Sequence, residues 1–270
     1  MTTATGIAVP ERAGRPGFTG ALRSEFTKIG SVRSTYWTLL ALVVLVIGLG
    51  AIGSAAAASH PSQNGPSFDP TARSLFGLYL GQLIIAVLGA LTITSEYATR
   101  MICTSLTVLP RRGVLFAAKA VAFAAVTLVT SLVACFLAFY IGQGIMSGGH
   151  TSATLGQPGV LRAVIGGALF LTGCGLLAFG LGMILRHTAG AIAAATVLLF
   201  VITLLVNALP QAWQSRADKW LPALAGSQVW ATRPASGPPM FSAWTGFAVF
   251  CGYAIIAMAA GLILFLRRDA

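Results

Sequence analysis

The chain has 270 residues, of which 56% are hydrophobic and only 9% charged, with a mean hydropathy of +0.85. A soluble domain usually carries about 25% charged residues to coat its surface, so the composition excludes an ordinary water-soluble globule and predicts a bundle of membrane helices. The formal charge of +11 does not point to nucleic acid, because the basic residues are scattered between apolar runs rather than gathered on one face beside base-reading groups.

The first 36 residues form a basic, cytoplasmic N-terminal segment. Within it Phe18, Leu22, Phe26 and Ile29 recur at helical spacing opposite Ser24, Thr27 and Ser31, which predicts an amphipathic helix lying in the membrane interface as an elbow before the first span. Glu25 sits at the edge of the apolar stripe, and the helix is expected to stop or bend near Gly30. A flexible basic tail is the alternative.

A spanning helix needs about 20 mostly apolar residues, because the hydrocarbon core is about 30 Å thick and each residue rises about 1.5 Å. Six stretches meet this, at 37–58, 75–94, 114–143, 160–185, 189–209 and 243–266. The third is long enough to tilt or protrude. Strands are excluded, since the runs are too long and lack the alternation of a barrel wall. The predicted fold is therefore all-α: one polytopic domain of six transmembrane helices over 37–266, with a short cytoplasmic tail at 267–270. The Ala-rich stretch 54–59 resembles a signal-peptidase site, but the leader before it is long for a signal peptide, so an uncleaved first span is expected.

The acids Glu11, Glu25, Asp69, Glu96, Asp218 and Asp269 lie outside these six runs, as the cost of charge in hydrocarbon requires. Twelve Lys and Arg residues fall on the side of the termini, including Arg111, Arg112, Lys119 and Arg186, and five on the other, namely Arg73, Arg162, Arg216, Lys219 and Arg233. Basic residues stay inside, so both termini are expected in the cytoplasm and the chain in the plasma, or inner, membrane.

The connection 95–113, SEYATRMICTSLTVLPRRG, is helix-compatible up to Pro110 and ends in a basic turn. It predicts a short cytoplasmic helix lying across two span ends, with Tyr97, Met101 and Val108 on one side and Ile102, Leu106 and Leu109 on the other. Its Glu96 and Arg100 are also spaced as a simple i,i+4 ion pair worth a few tenths of a kcal/mol. In the fourth span Gly159, Gly166, Gly173 and Gly180 recur every seven residues, a small-residue stripe for close helix packing. Whether it faces its own bundle or a second subunit is open at this level. Gly is also simply common in membrane helices.

Polar residues inside the spans are few, chiefly Gln82, Gln143, Asn207, Thr92, Thr127, Thr172 and Thr203, and read as hydrogen bonders between helices. The apolar runs contain no mid-membrane acid or histidine of the kind ion-driven carriers use. His60, His150 and His187 lie far apart in connections, and Cys103, Cys135, Cys174 and Cys251 lack metal-ligand spacing. No catalytic residue, metal, cofactor or disulfide is expected.

The stretch SEYATRMICTSLTVLPRRGVLFAAKAV, preceded by the leader LRSEFTKIGSVRSTYW, resembles the permease subunits of type-2 ABC exporters, especially actinobacterial ones, and the resemblance covers nearly the whole chain. It implies an elbow helix, six spans with cytoplasmic ends, and a coupling helix between spans two and three. Glu96, Tyr97 and Arg100 would lie in or beside that coupling helix and dock into a cleft of a separate ATPase subunit, with Arg111, Arg112 and Lys119 closing the loop. In the external loop 210–242, WLPALAGSQVW resembles the re-entrant helices that cap such exporters, a plain surface connection being the alternative. No Gly-rich loop ending in Gly-Lys-Ser or Gly-Lys-Thr occurs, so ATP would be bound by the partner chain. One six-span subunit makes half of the pathway, which implies a second permease chain as homodimer or heterodimer, with membrane lipid around it. The other reading is a six-span scaffold or channel subunit not linked to ATP hydrolysis.

Overall fold

A computed structural model of the chain describes residues 17–60, 65, 68–99, 101, 111–148, 152–208, 210–233 and 240–267. Every regular element among them is helical, and six helices are long and apolar enough to cross a membrane.

Helix α1 (Phe18–Ser31) ends at the extended residue Val32, with φ −87° and ψ 108°, and α2 (Arg33–Ser59) begins at once. The Tyr36 hydroxyl donates to the Gly30 carbonyl at 2.7 Å and pins the bend. The stop falls one residue past Gly30, close to the expected place, and the apolar stripe is divided, with Leu22 packed against the core and Ile29 half-buried. Phe18 and Phe26 are exposed, whereas Ala21 and Glu25 are buried where α1 packs on the third long helix. That face combines apolar contact, from Ala21 and half-buried Leu22, with the ionic contact of Glu25.

A short helix, α3 (Pro70–Ser74), precedes the second span. Asp69 caps it, its Oδ1 accepting from Thr71 N and Ala72 N at 3.0 Å each, and Pro70 occupies the first turn, where a missing N–H costs nothing. Helix α4 (Leu78–Ala98) follows. It starts and ends about one turn later than the apolar run 75–94 suggests, because three residues turn the chain after α3. The third span, α5 (Arg112–Ser147), has 36 residues and is about 54 Å long, well beyond a hydrocarbon core of about 30 Å. Helix α6 (Val160–Leu185) starts after Gly159 (φ 85°) and ends at Arg186 (φ 54°). The fifth span, α7 (Thr188–Asn207), carries one π-helical turn at Val197–Val201. Two short helices, α8 (Gln211–Ala217) and α9 (Pro222–Ser227), precede the last span, α10 (Ala243–Arg267).

The centre of the bundle is α6, which packs against α4, α5, α7 and α10 and is the most buried of the six, at 67% of its most apolar stretch against 22% for α2. Glycine makes this possible. A Cβ on Gly166 would lie 2.7 Å from Val229 Cγ2, on Gly173 2.5 Å from Phe250 Cε1, and on Gly180 2.6 Å from the Ala257 carbonyl carbon. Those three glycines therefore face α10 and the segment after α9 of their own chain, and that contact needs bare backbone. Gly159 stands apart: it is the left-handed residue before α6, with the Arg162 guanidinium as its nearest neighbour.

Candidate functional site

At the end of the bundle that carries α1, four charged side chains meet. Lys119, in the second turn of α5, places its ammonium 2.7 Å from Glu25 Oε2 and 2.6 Å from Glu96 Oε1. Lys28, one turn after Glu25 in α1, reaches Glu25 Oε1 at 2.8 Å and Glu96 Oε1 at 3.4 Å. Only Lys28 is appreciably open, its side chain 35% exposed against 4% for Lys119, 2% for Glu25 and 9% for Glu96. The cluster thus ties α1, the last turn of α4 and α5 together through charge-assisted hydrogen bonds, which are the short, strong class.

The two carboxylates balance the two ammonium groups, so the cluster avoids the penalty of a lone buried charge. Burial works to lower the pKa of Lys28, but its hydrogen bond to Glu25 and the charges of Glu96 and Glu25 outweigh it, and the net shift is upward. Lys28 stays charged at neutral pH. One oxygen, Glu96 Oε2, is buried and accepts no hydrogen bond.

The residues singled out from sequence divide three ways. Glu96 belongs to the last turns of α4 rather than to a loop, and it turns inward onto Lys119. Tyr97 also packs on the bundle: its hydroxyl lies 3.9 Å from Met183 Sδ and the Arg186 guanidinium stands 4.9 Å from its ring centre. Arg112 donates from Nη1 to the Phe265 carbonyl at 3.1 Å and so ties the start of α5 to the end of α10. Arg111, just before α5, is exposed. Arg100 and the stretch 102–110, which hold most of the expected coupling helix, lie outside the described residues. Lys119, counted from sequence among the loop cations, sits inside α5 as the hub of the cluster. A lone Lys in the run GVLFAAKAVAFAAV was the available signal, since an ionisable side chain within an apolar helix implies a partner.

Beside the cluster a cavity of about 370 Å³ opens between α1, α2, α4 and α5, with Glu25, Lys28, Glu96 and Lys119 at one end and Leu88, Leu91 and Phe123 along its walls. That volume lies in the range of small-molecule sites, roughly 300–1,000 Å³.

The opposite end is held by neutral and acidic hydrogen bonding. Besides capping α3, Asp69 accepts from Thr232 N at 2.6 Å, Thr232 Oγ1 at 2.7 Å and Arg233 N at 3.0 Å. Gln143 donates from Nε2 to Ser74 Oγ at 2.8 Å and accepts from Ala153 N at 2.6 Å. Arg162 donates from Nη2 to the Ala231 carbonyl at 2.9 Å. The segment 220–230 contains α9, mostly buried, with Trp230 enclosed and Trp220 exposed.

Among the described residues no three His, Cys, Asp or Glu side chains gather as metal ligands. Neither protein-family models nor curated proteins give a match to this chain.

Proposed function

We propose that the chain is the permease subunit of an ATP-driven ABC exporter, forming half of a translocation pathway in the plasma membrane with a second permease chain and driven by a separate ATPase subunit. The observation that carries this reading is the ionic cluster joining α1 to α4 and α5. These are the two helices from which the connection 99–111 departs, and the cluster sits within a turn or two of both departure points.

The mechanical argument is direct. A partner pushing on that connection moves the ends of α4 and α5 as one body, because Lys119 bridges them, and Glu25 makes α1 follow. In this reading α1 is the interfacial elbow, with Phe18 and Phe26 turned toward lipid, and the exposed Arg111 and the connection beyond it form the face offered to the ATPase. Tyr97 and Arg112 pass the displacement to α6 and α10 through the contacts described above. ATP would be bound and hydrolysed only in the partner.

Mild-detergent purification of the tagged chain from its native membrane tests the proposal. A stoichiometric ATPase that co-purifies, hydrolyses ATP and is lost when Arg111 and Arg112 are both changed to Glu is the expected result. A chain that emerges alone, or with partners that hydrolyse no ATP, overturns it and leaves the six-span scaffold or channel.

A further inference from the structure

We propose that the cavity between α1, α2, α4 and α5 is a binding site for a single amphiphile whose primary ammonium head is received by Glu96 and whose hydrocarbon chain lies between α4 and α5. Three observations carry it. The first is shape: from Thr99 to Leu88 along α4 the lining extends about 16 Å, and from Lys119 to Thr127 along α5 about 12 Å, giving an elongated slot with a charged end and walls of Leu88, Leu91 and Phe123.

The second is the donor and acceptor inventory of the wall. Five of the eight hydroxyls in its lining already spend their hydrogens on their own helices: Ser31 donates to the Lys28 carbonyl, Thr38 to Ser34, Thr92 to Leu88, Thr99 to Ser95 and Thr127 to Phe123. What such hydroxyls offer a ligand is acceptor lone pairs. These five acceptors, beside the carboxylate of Glu96, favour a head rich in N–H donors.

The third is the state of Glu96. It is 7% exposed, it lines the cavity, and its Oε2 accepts from nothing. The contact that guards it is the weakest in the cluster, Lys28 at 3.4 Å, and Lys28 retains Glu25 at 2.8 Å when it lets go. Oε2 is enclosed as the cluster stands, so an incoming ammonium reaches it by replacing Lys28, which swings out through its exposed side; the exchange keeps two cations on two carboxylates, and the Lys119 bonds stay in place. The site requires no ATPase partner and stands or falls independently of the transport reading.

The test uses the full chain in dodecylmaltoside with a phosphatidylethanolamine carrying a photoreactive diazirine in its acyl chain, a phosphatidylglycerol analogue with the same chain, and dodecylammonium as competitor. Labelling by the aminolipid should concentrate in 88–99 of α4 and 119–127 of α5, and the phosphatidylglycerol analogue should label there at least tenfold less. Competition by dodecylammonium identifies any alkylammonium as ligand, whereas failure to compete restricts the site to aminophospholipids. Glu96→Gln should lower labelling roughly 10- to 100-fold, the worth of one charge-assisted hydrogen bond. Leu91→Trp, which fills the slot and leaves the ionic cluster in place, should abolish it. Equal labelling by the anionic lipid, labels spread over lipid-facing positions such as Val44 and Ile255, or undiminished labelling of a folded Leu91→Trp protein would each overturn the proposal.

Discussion

Lys119→Met removes the hub of the ionic cluster. Lys119 donates to Glu25 and Glu96 at 2.7 and 2.6 Å with its side chain 4% exposed. Without it, two buried carboxylates share Lys28, whose nearer bond goes to Glu25 and whose reach to Glu96 is 3.4 Å. Breaking a buried pair while leaving its partner charged costs about 3–5 kcal/mol. For a chain of this size that corresponds to a fall in melting temperature of roughly 6–20 °C. Cys135 and Cys174 are fully buried and free, whereas Cys251 is half-buried, so in a Cys103→Ser, Cys251→Ser background a thiol-reactive fluorophore reports unfolding in detergent. The companion variant replaces all three buried members, Glu25→Leu, Glu96→Met and Lys119→Met, and leaves Lys28 to solvent. Apolar replacement of a whole buried ionic group is often neutral or stabilising by about 1–4 kcal/mol, so the triple variant should melt at or above the parent. A single variant melting within about 2 °C of the parent, or a triple variant as unstable as the single, would refute the claim that the cluster is a mutually neutralised buried unit.

Gly180→Val drives a side chain onto the backbone of α10 at Ala257 and should cost about 1–3 kcal/mol, while Gly252→Ala, whose Cβ meets nothing within 4 Å, should stay within about 0.5 kcal/mol of the parent; equal melting temperatures for the two would contradict the close approach. Asp69→Ala removes a helix cap and the acceptor for Thr232 and Arg233 together, an expected loss of about 2–4 kcal/mol, seen as faster deuterium exchange at 70–74 and 229–233. Lys28 has its pKa raised from 10.5, so its ionic contribution is complete below pH 10.5 and is lost as pH rises through the higher folded value. The difference in melting temperature between the parent and Lys28→Met should accordingly stay constant from about pH 7 to pH 10 and shrink above 10.5; a difference that grows there reverses the sign and rejects the assignment.

The six spans were legible because twenty-residue apolar runs are a local property, and hydropathy reads local properties. What escaped was set by contacts between distant residues. Glu25 and Lys119 are 94 positions apart and Glu96 and Lys119 are 23 apart, so no periodicity within one helix reveals that they pair. The seven-residue spacing of Gly166, Gly173 and Gly180 was visible, but not that α10 lies against it, because spacing names a stripe without naming its neighbour. Helix α3 carries the Asp-Pro start signal of a capped helix at Asp69 and Pro70, but its five residues are too few to show a helical period.

The bond between Glu25 and Lys119 also bears on biosynthesis. At about 5–20 residues per second, a ribosome needs roughly 5–20 s to make the 94 residues that separate the acid from its base. Through that interval Glu25 has Lys28 of its own helix but not Lys119, so α1 can rest at the membrane surface without docking on the bundle, and it should dock last, once α5 has carried Lys119 into place. A nascent chain stopped at Ala98 should leave Ala21→Cys open to a water-soluble maleimide, whereas the finished protein, in which Ala21 is 5% exposed, should shield it; protection already present in the truncated chain would rule out this order. The first helix to be synthesised would thus be among the final pieces to settle.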